Sequence, residues 1–382
     1  MISFLLAVVC GVLVGCVTGT TPGLHMNLVA SLIVALHIPG TLPVLVFLVS
    51  LSVAHTFLDG VPAVFLGVPD ADTVVAMMPA HKLLLEGRGF DAVALLTFGS
   101  FLGLLCALLL SPLFFFASPF LYELIRSHTF WILLCIVLFL IWRDSFPFRA
   151  LLLFCVSGVL GLYVLRYSDV SEPLLPLLSG LFGVSTLLSG VGVSNIPAQF
   201  STRLMIPFLP SLKGCLLGCC SGFLPGIGSS QSASFARSKS GEEFLLIVGA
   251  LNTASIVFTI IIASSLGRAR SGTAEALLSM VHVDSFLLPV LLLAVLLSGC
   301  LSLFACLLIA KFCALNMHRF RPSFISFFIL ILVVVLVLYV SGIQGFAVLL
   351  LSSSVGILSL LLGCGRAHAM ACIIVPVMFY VW

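Results

Sequence analysis

Two stretches of this chain carry the residue types that hold and release small anions. Gly15-Cys-Val-Thr-Gly-Thr-Thr-Pro-Gly-Leu-His-Met-Asn27 is matched by Gly218-Cys-Cys-Ser-Gly-Phe-Leu-Pro-Gly-Ile-Gly-Ser-Ser230 at a constant offset of 203. Gly15, Cys16, Gly19, Pro22, Gly23, Ala30 and Ser31 recur identically in the second copy. Proline and glycine together interrupt a helix, and the helix that restarts presents unpaired N–H groups and a partial positive charge. Such an end favours an anion. This reading expects Thr21 as N-cap and Pro22 in the first turn of the new helix. Around the breaks stand Thr20, Thr21, Pro22, Gly23, His25 and Asn27 in the first copy, and Pro225, Gly226, Gly228, Ser229, Ser230 and Gln231 in the second. Their hydroxyls, amides and imidazole suit the oxygens of carboxylate or phosphate. In lipid each bare N–H or C=O would cost several kcal/mol, so two breaks imply a cavity that satisfies them. Packing offers a blander account, since glycine and proline are common where membrane helices touch. The recurrence of the whole string favours a binding site between two halves.

Ionisable residues come next. Asp59, Asp70 and Asp72 flank the short apolar piece Val61 to Leu66. A carboxylate near the midplane binds Na⁺ together with unwound carbonyls, or carries a proton, and either would couple ion flow to an anion. Placement in a loop is the other reading of these three. Asn252 and Thr253 lie within the apolar segment Phe244 to Leu266 and are expected either at the second Pro-Gly loop or in bonds between helices. Arg268 and Arg270 follow that segment, where cations snorkel to the interface or contact substrate.

Composition decides what must position these groups. With 62% apolar residues, 8% charged residues and a mean hydropathy of +1.34, the chain lacks the polar surface of a soluble globule. An integral, multi-pass protein of the cell membrane is expected. The net charge of +3 is scattered without a basic run, so nucleic acid and a polybasic lipid anchor are not indicated. None of the thirteen cysteines forms a Cys-x-x-Cys pair, and Cys215, Cys219 and Cys220 have no histidine at ligand spacing. No metal site is expected beyond Na⁺, and no cofactor. The apolar start, Ile2 to Val17, lacks a basic n-region and its end recurs at residue 218, so it reads as mature structure.

Apolar segments follow one another along the whole chain without a soluble domain. Some reach the roughly 20 residues a span needs and others read as half-helices, giving about 10–12 transmembrane segments. The expected architecture is an all-α polytopic membrane protein with two inverted structural repeats and broken or re-entrant helices. Residues 1–125 form the first repeat, 126–209 connecting helices, 210–325 the second repeat and 326–382 terminal helices. Lys and Arg are spread over many short loops, so the orientation stays unassigned.

These residues resemble the permease subunits of tripartite tricarboxylate transporters, in particular the short archaeal-type members. The resemblance covers most of the chain. Besides the two Pro-Gly strings it rests on His55-Thr-Phe-Leu-Asp-Gly-Val-Pro62, Leu66-Gly-Val-Pro-Asp-Ala-Asp-Thr73 and Leu83-Leu-Leu-Glu-Gly-Arg-Gly89. Asn252-Thr253, Gly267-Arg-Ala-Arg-Ser-Gly272 and Arg366-Ala-His-Ala-Met370 add to it. It implies a carrier of carboxylates such as citrate, driven by a Na⁺ or H⁺ gradient, with a small membrane subunit and an extracytoplasmic binding protein as partners. A stand-alone carrier and a homodimer stay open. Among rival classes, an intramembrane enzyme lacks His-Glu-x-x-His and Gly-x-Gly-Asp, and a channel lacks a repeated filter. A carrier of lipid phosphate is the nearer alternative, because phosphate also suits helix N-termini.

Overall fold

A computed structural model describes residues 1–68, 71–188, 197–316 and 322–381. No strand occurs among them, and the uninterrupted apolar runs fold as helices whose backbone bonds are satisfied internally. In the first part of the chain these are α1 (Ile2–Thr20), α2 (Met26–Ala35), α3 (Leu42–Leu58), α4 (Gly60–Phe65), α5 (Met77–Leu85) and α6 (Gly89–Arg126). Then come α7 (Thr129–Arg143), α8 (Pro147–Tyr167), and α9 (Leu174–Leu178) joined through a π-helical stretch to α10 (Ser185–Leu188). The later part holds α11 (Phe208–Phe223), α12 (Ser229–Ala233), α13 (Gly241–Leu266), α14 (Gly272–Met280) and α15 (Leu287–Asn316). The last are α16 (Pro322–Leu362), broken at Gly342, and α17 (Ala371–Val381). Among the described residues seven helical stretches are long and apolar enough to cross a membrane, with α3 and α4 acting as one of them, and six further apolar helices are shorter. The chain is an all-α polytopic membrane protein.

Small residues set the helix packing. On α1 a Cβ at Gly11 would stand 2.6 Å from Phe47 O, at Gly15 2.5 Å from the Ala54 Cβ, and at Gly19 2.8 Å from the Leu58 Cβ. On α11, Gly214, Gly218 and Gly222 meet Ile247, Leu251 and Phe258 of α13 in the same way. In both pairs the contacts advance together along the two chains, so α3 lies parallel to α1 and α13 parallel to α11. Backbones this close exchange dispersion over a long seam, which is how helices associate without a hydrophobic driving force between them. Helix α13 is the axis of the molecule: every residue from Leu245 to Ala263 is buried, with α6 along one side and α11 along another. Gly249 and Gly99 bring α13 against Leu96 and Leu246, and Ser100 donates to Gly249 O at 3.1 Å.

One end of α6 is pinned by charge. Asp91, fully buried, accepts from Arg88 Nε at 3.0 Å and from Thr202 Oγ1 at 2.6 Å, and Arg88 also pairs with Glu242 at 2.8 Å. This ties the strap 197–203 and the start of α13 to α6. A larger residue at Gly249 should be poorly tolerated, because its Cβ would overlap the Leu96 carbonyl. Gly249→Val is expected to cost about 1–3 kcal/mol or more and lower the melting temperature in detergent, while Leu109→Ala, on an 82% exposed residue, leaves it near the wild-type value.

Candidate functional site

Both Pro-Gly strings break helices, and the two breaks face one cavity of about 720 Å³. The first break differs in detail from the sequence expectation. Thr21 caps the C-terminus of α1 rather than the N-terminus of α2, its N–H bonding Val17 O, and Pro22 lies in a turn ahead of α2 rather than in its first turn. The turn is closed by Leu24 N–H donating to Thr21 O at 3.1 Å, with Gly23 at φ 86°. Proline at the second position and glycine at the third are what such a turn requires. The N-cap is His25, whose Nδ1 accepts from Asn27 N–H at 3.2 Å. The second break repeats the left-handed glycine at Gly226, φ 76°, before α12. There Gln231 turns back to close the helix start, its Oε1 accepting from Gly228 N–H at 2.9 Å and its Nε2 donating to Ala367 O at 3.1 Å.

Of the residues singled out in sequence, Thr21, Pro22, Gly23, His25, Asn27, Pro225, Gly226, Gly228, Ser229, Asp59 and Asp72 line the cavity. Thr20 does not, because its hydroxyl folds back onto Cys16 O at 2.6 Å. Ser230 is buried behind the lining, Gln231 serves as the helix cap, and Thr253 bonds Thr56 of α3 at 3.1 Å. Asp70 lies outside the described residues.

Asn252 stands one layer behind the wall and ties it together. Its Nδ2 donates to Asp59 Oδ2 at 2.6 Å, and its Oδ1 accepts from Ser229 Oγ at 3.3 Å. Ser229 N–H in turn donates to Asp72 Oδ1 at 3.2 Å. Asp59 sits at the junction of α3 and α4, 7% exposed, instead of in a loop. Two carboxylates from the first half of the chain are thus held by Asn252 and Ser229 from the second.

Arg270, expected at the interface or in contact with substrate, lines the cavity, and so do His55, Thr18, Ser255 and Thr259, which were not singled out as site residues. His55 Nδ1 lies 3.1 Å from Thr18 Oγ1, and its ring centroid is 4.9 Å from that of His25. A signal for several of these was present in the glycine spacing. Gly15 and Gly19 meet the backbone of Leu51, His55 and Asp59, and Gly218 and Gly222 meet that of Leu251, Ser255 and Thr259. Of these, His55, Asp59, Ser255 and Thr259 line the cavity. Arg270 follows α13 in the loop before α14; burial pulls its guanidinium down to about 10, which leaves it cationic at neutral pH.

Terminal elements brace the second break from behind. Arg366 donates to the Leu181 and Phe182 carbonyls, both at 3.1 Å, and to Ser185 Oγ at 2.8 Å, which anchors the turn 366–370 on the π-helical stretch. His368 Nε2 reaches Asp144 Oδ2 at 3.0 Å in the loop between α7 and α8. Burial pushes the Asp144 carboxyl up, but the N–H groups of Phe146 and Gly365 and the His368 ring outweigh it and hold the carboxyl below its usual range.

The family model of the tripartite tricarboxylate transporter TctA family matches residues 5–371, which takes in both breaks, most of the cavity lining and the brace. The chain belongs to this family. It is a multi-pass membrane protein of the tricarboxylate transporter class. The uncharacterized protein MJ1079 of Methanocaldococcus jannaschii is 28% identical over 348 residues, covering 86% of this chain and 85% of that one. No solved structure matches the chain.

The left-handed glycines give a direct check on the breaks. Gly23→Ala and Gly226→Ala are each expected to cost about 1–2 kcal/mol in unfolding free energy from backbone strain. Gly23→Ala should be the worse of the two, because its Cβ would stand 2.8 Å from Val333 Cγ2 against 3.3 Å from the Val377 Cβ at Gly226. Melting temperatures of the two variants in detergent read out that order.

Proposed function

We propose that this transporter is a secondary carrier that binds a di- or tricarboxylate between its two Pro-Gly breaks and moves it with Na⁺ or H⁺. The observation that carries the reading is the convergence of both breaks on one cavity. Broken helices offer an anion their free N–H groups, and here hydroxyls of Thr21 and Ser229 and the imidazole of His25 stand beside them. The cavity volume falls in the range that encloses a small organic ligand. Asp59 and Asp72 are the coupling groups in this reading, joined through Asn252 and Ser229 so that a change of charge at one is felt by the other.

The two halves, residues 1–125 and 210–325, act as inverted repeats in this mechanism. Support comes from the matched seams α1–α3 and α11–α13. Across the halves the order runs the other way: Thr97 meets Cys306, whereas Leu104 lies against Gly299, so α6 and α15 are antiparallel. Rocking of one half against the other would then expose the shared cavity to each side in turn. A small membrane subunit and an extracytoplasmic binding protein would complete the system and deliver the anion.

Purified chain in liposomes, supplied with labelled citrate and other di- and tricarboxylates under imposed Na⁺ or H⁺ gradients, tests the reading. Wild type should accumulate a carboxylate in a gradient-dependent manner. Pro22→Ala and Pro225→Ala should each lower the rate by about tenfold or more, the equivalent of about 1.4 kcal/mol. Asp59→Asn should uncouple uptake from the gradient. Uptake unaffected by either proline substitution would refute the site. Binding of long-chain phosphates in place of carboxylates would reassign the carrier to lipid phosphate.

A further inference from the structure

The cavity wall holds several acids, and a carboxylate substrate needs positive charge to offset them. Among the described residues that line it, the one guanidinium is Arg270; the acids are Asp59, Asp72, Glu172 and Glu275, and the imidazoles His25 and His55. Arg270 makes no ion pair and no hydrogen bond with any described residue, although it is half-buried. Its neighbour Arg268 is already engaged, with its guanidinium carbon 4.6 Å from the centre of the Tyr122 ring. The two arginines of this loop therefore have different surroundings.

The loop is fixed against the first break. Ser271 caps α14 by accepting from Ala274 N–H at 3.3 Å, and a Cβ on the next residue, Gly272, would stand 2.8 Å from the side chain of Asn27. This close approach holds Arg270 beside the start of α2. The second break lines the same cavity with Ser229, and Ser221 lies just ahead of it; their hydroxyls donate to Asn252 Oδ1 and to Ile227 O, each at a long 3.3 Å. A guanidinium is a planar fork that matches one carboxylate through two parallel bonds, and a second carboxylate, as a charged acceptor, forms a stronger bond to these hydroxyls than the neutral oxygens it displaces.

Resting on the carboxylate-carrier reading, we infer that Arg270 recognises the charge of the substrate: it pairs with one carboxylate while the second break takes another, so the site selects anions with at least two carboxylates. Arg268 has no part in recognition and secures the loop on Tyr122. A monocarboxylate held by the hydroxyls would leave the Arg270 guanidinium desolvated without a partner, which is the stronger form of discrimination.

Thermal stabilisation of the purified full chain by citrate, succinate and propionate, at matched ionic strength, tests this without requiring transport. Wild type should be stabilised by citrate or succinate and not by propionate. Arg270→Gln should weaken that binding by about tenfold or more, Arg270→Lys by less, and Arg268→Gln should bind as wild type does. Wild-type affinity in Arg270→Gln, or an equal loss in Arg268→Gln, overturns the inference and leaves the carrier reading standing. If Arg270→Gln does not fold, Arg270→Lys decides, since unchanged affinity there rules out a forked contact. A wild-type chain stabilised by no carboxylate overturns both the carrier reading and this inference.

Discussion

Backbone N–H and C=O groups in a hydrocarbon environment must find partners, and a chain that breaks two helices there has to supply them. The structure meets this demand locally. His25 closes the start of α2, Gln231 closes the start of α12, and the Thr21–Leu24 turn closes the gap after α1. Everything else in the fold serves that arrangement: the glycine seams press α3 and α13 against the broken helices, and the turn at Arg366–Met370 holds Gln231 from behind.

The same seams explain why charge is tolerated in the interior. Asp59 follows the last contact of α1 with α3, and its carboxylate is met by Asn252 from α13. An acid so placed is costly to bury alone and far less so when hydrogen-bonded to an amide. Asn252, Ser229 and Asp72 extend the bond into a chain across the two halves, so the polar centre is itself part of the contact between them. Movement of one half against the other would have to remake these bonds, which links conformation to the charge state of the acids.

Much of this was legible in the sequence. Composition forces a membrane fold, and the repeat at offset 203 marks both breaks before any coordinates are known. Less legible was the local geometry of the breaks. Proline before glycine suits a turn as well as a first helical turn, and the side-chain acceptor of His25, not Thr21, decided where α2 begins. Thr20 and Gln231 were read as cavity residues because their types suit anions. Their side chains are instead spent on Cys16 O and on the helix cap, a choice that depends on rotamers and not on spacing. His55 reaches the cavity through tertiary packing, to which only the glycine register pointed, whereas Arg270, which the sequence marks as an interface or substrate-contacting cation, takes a place in the lining.

The central claim is that the two breaks form a single binding site. Thr21→Cys and Ser229→Cys, each in a background with the native cysteines replaced, put a thiol on the cavity lining at each break. Their rates of modification by a small water-soluble thiol reagent in proteoliposomes would be measured against rising citrate concentration. One shared site predicts that both thiols are protected with the same half-maximal concentration. Protection at one position alone, or at clearly different concentrations, would contradict it.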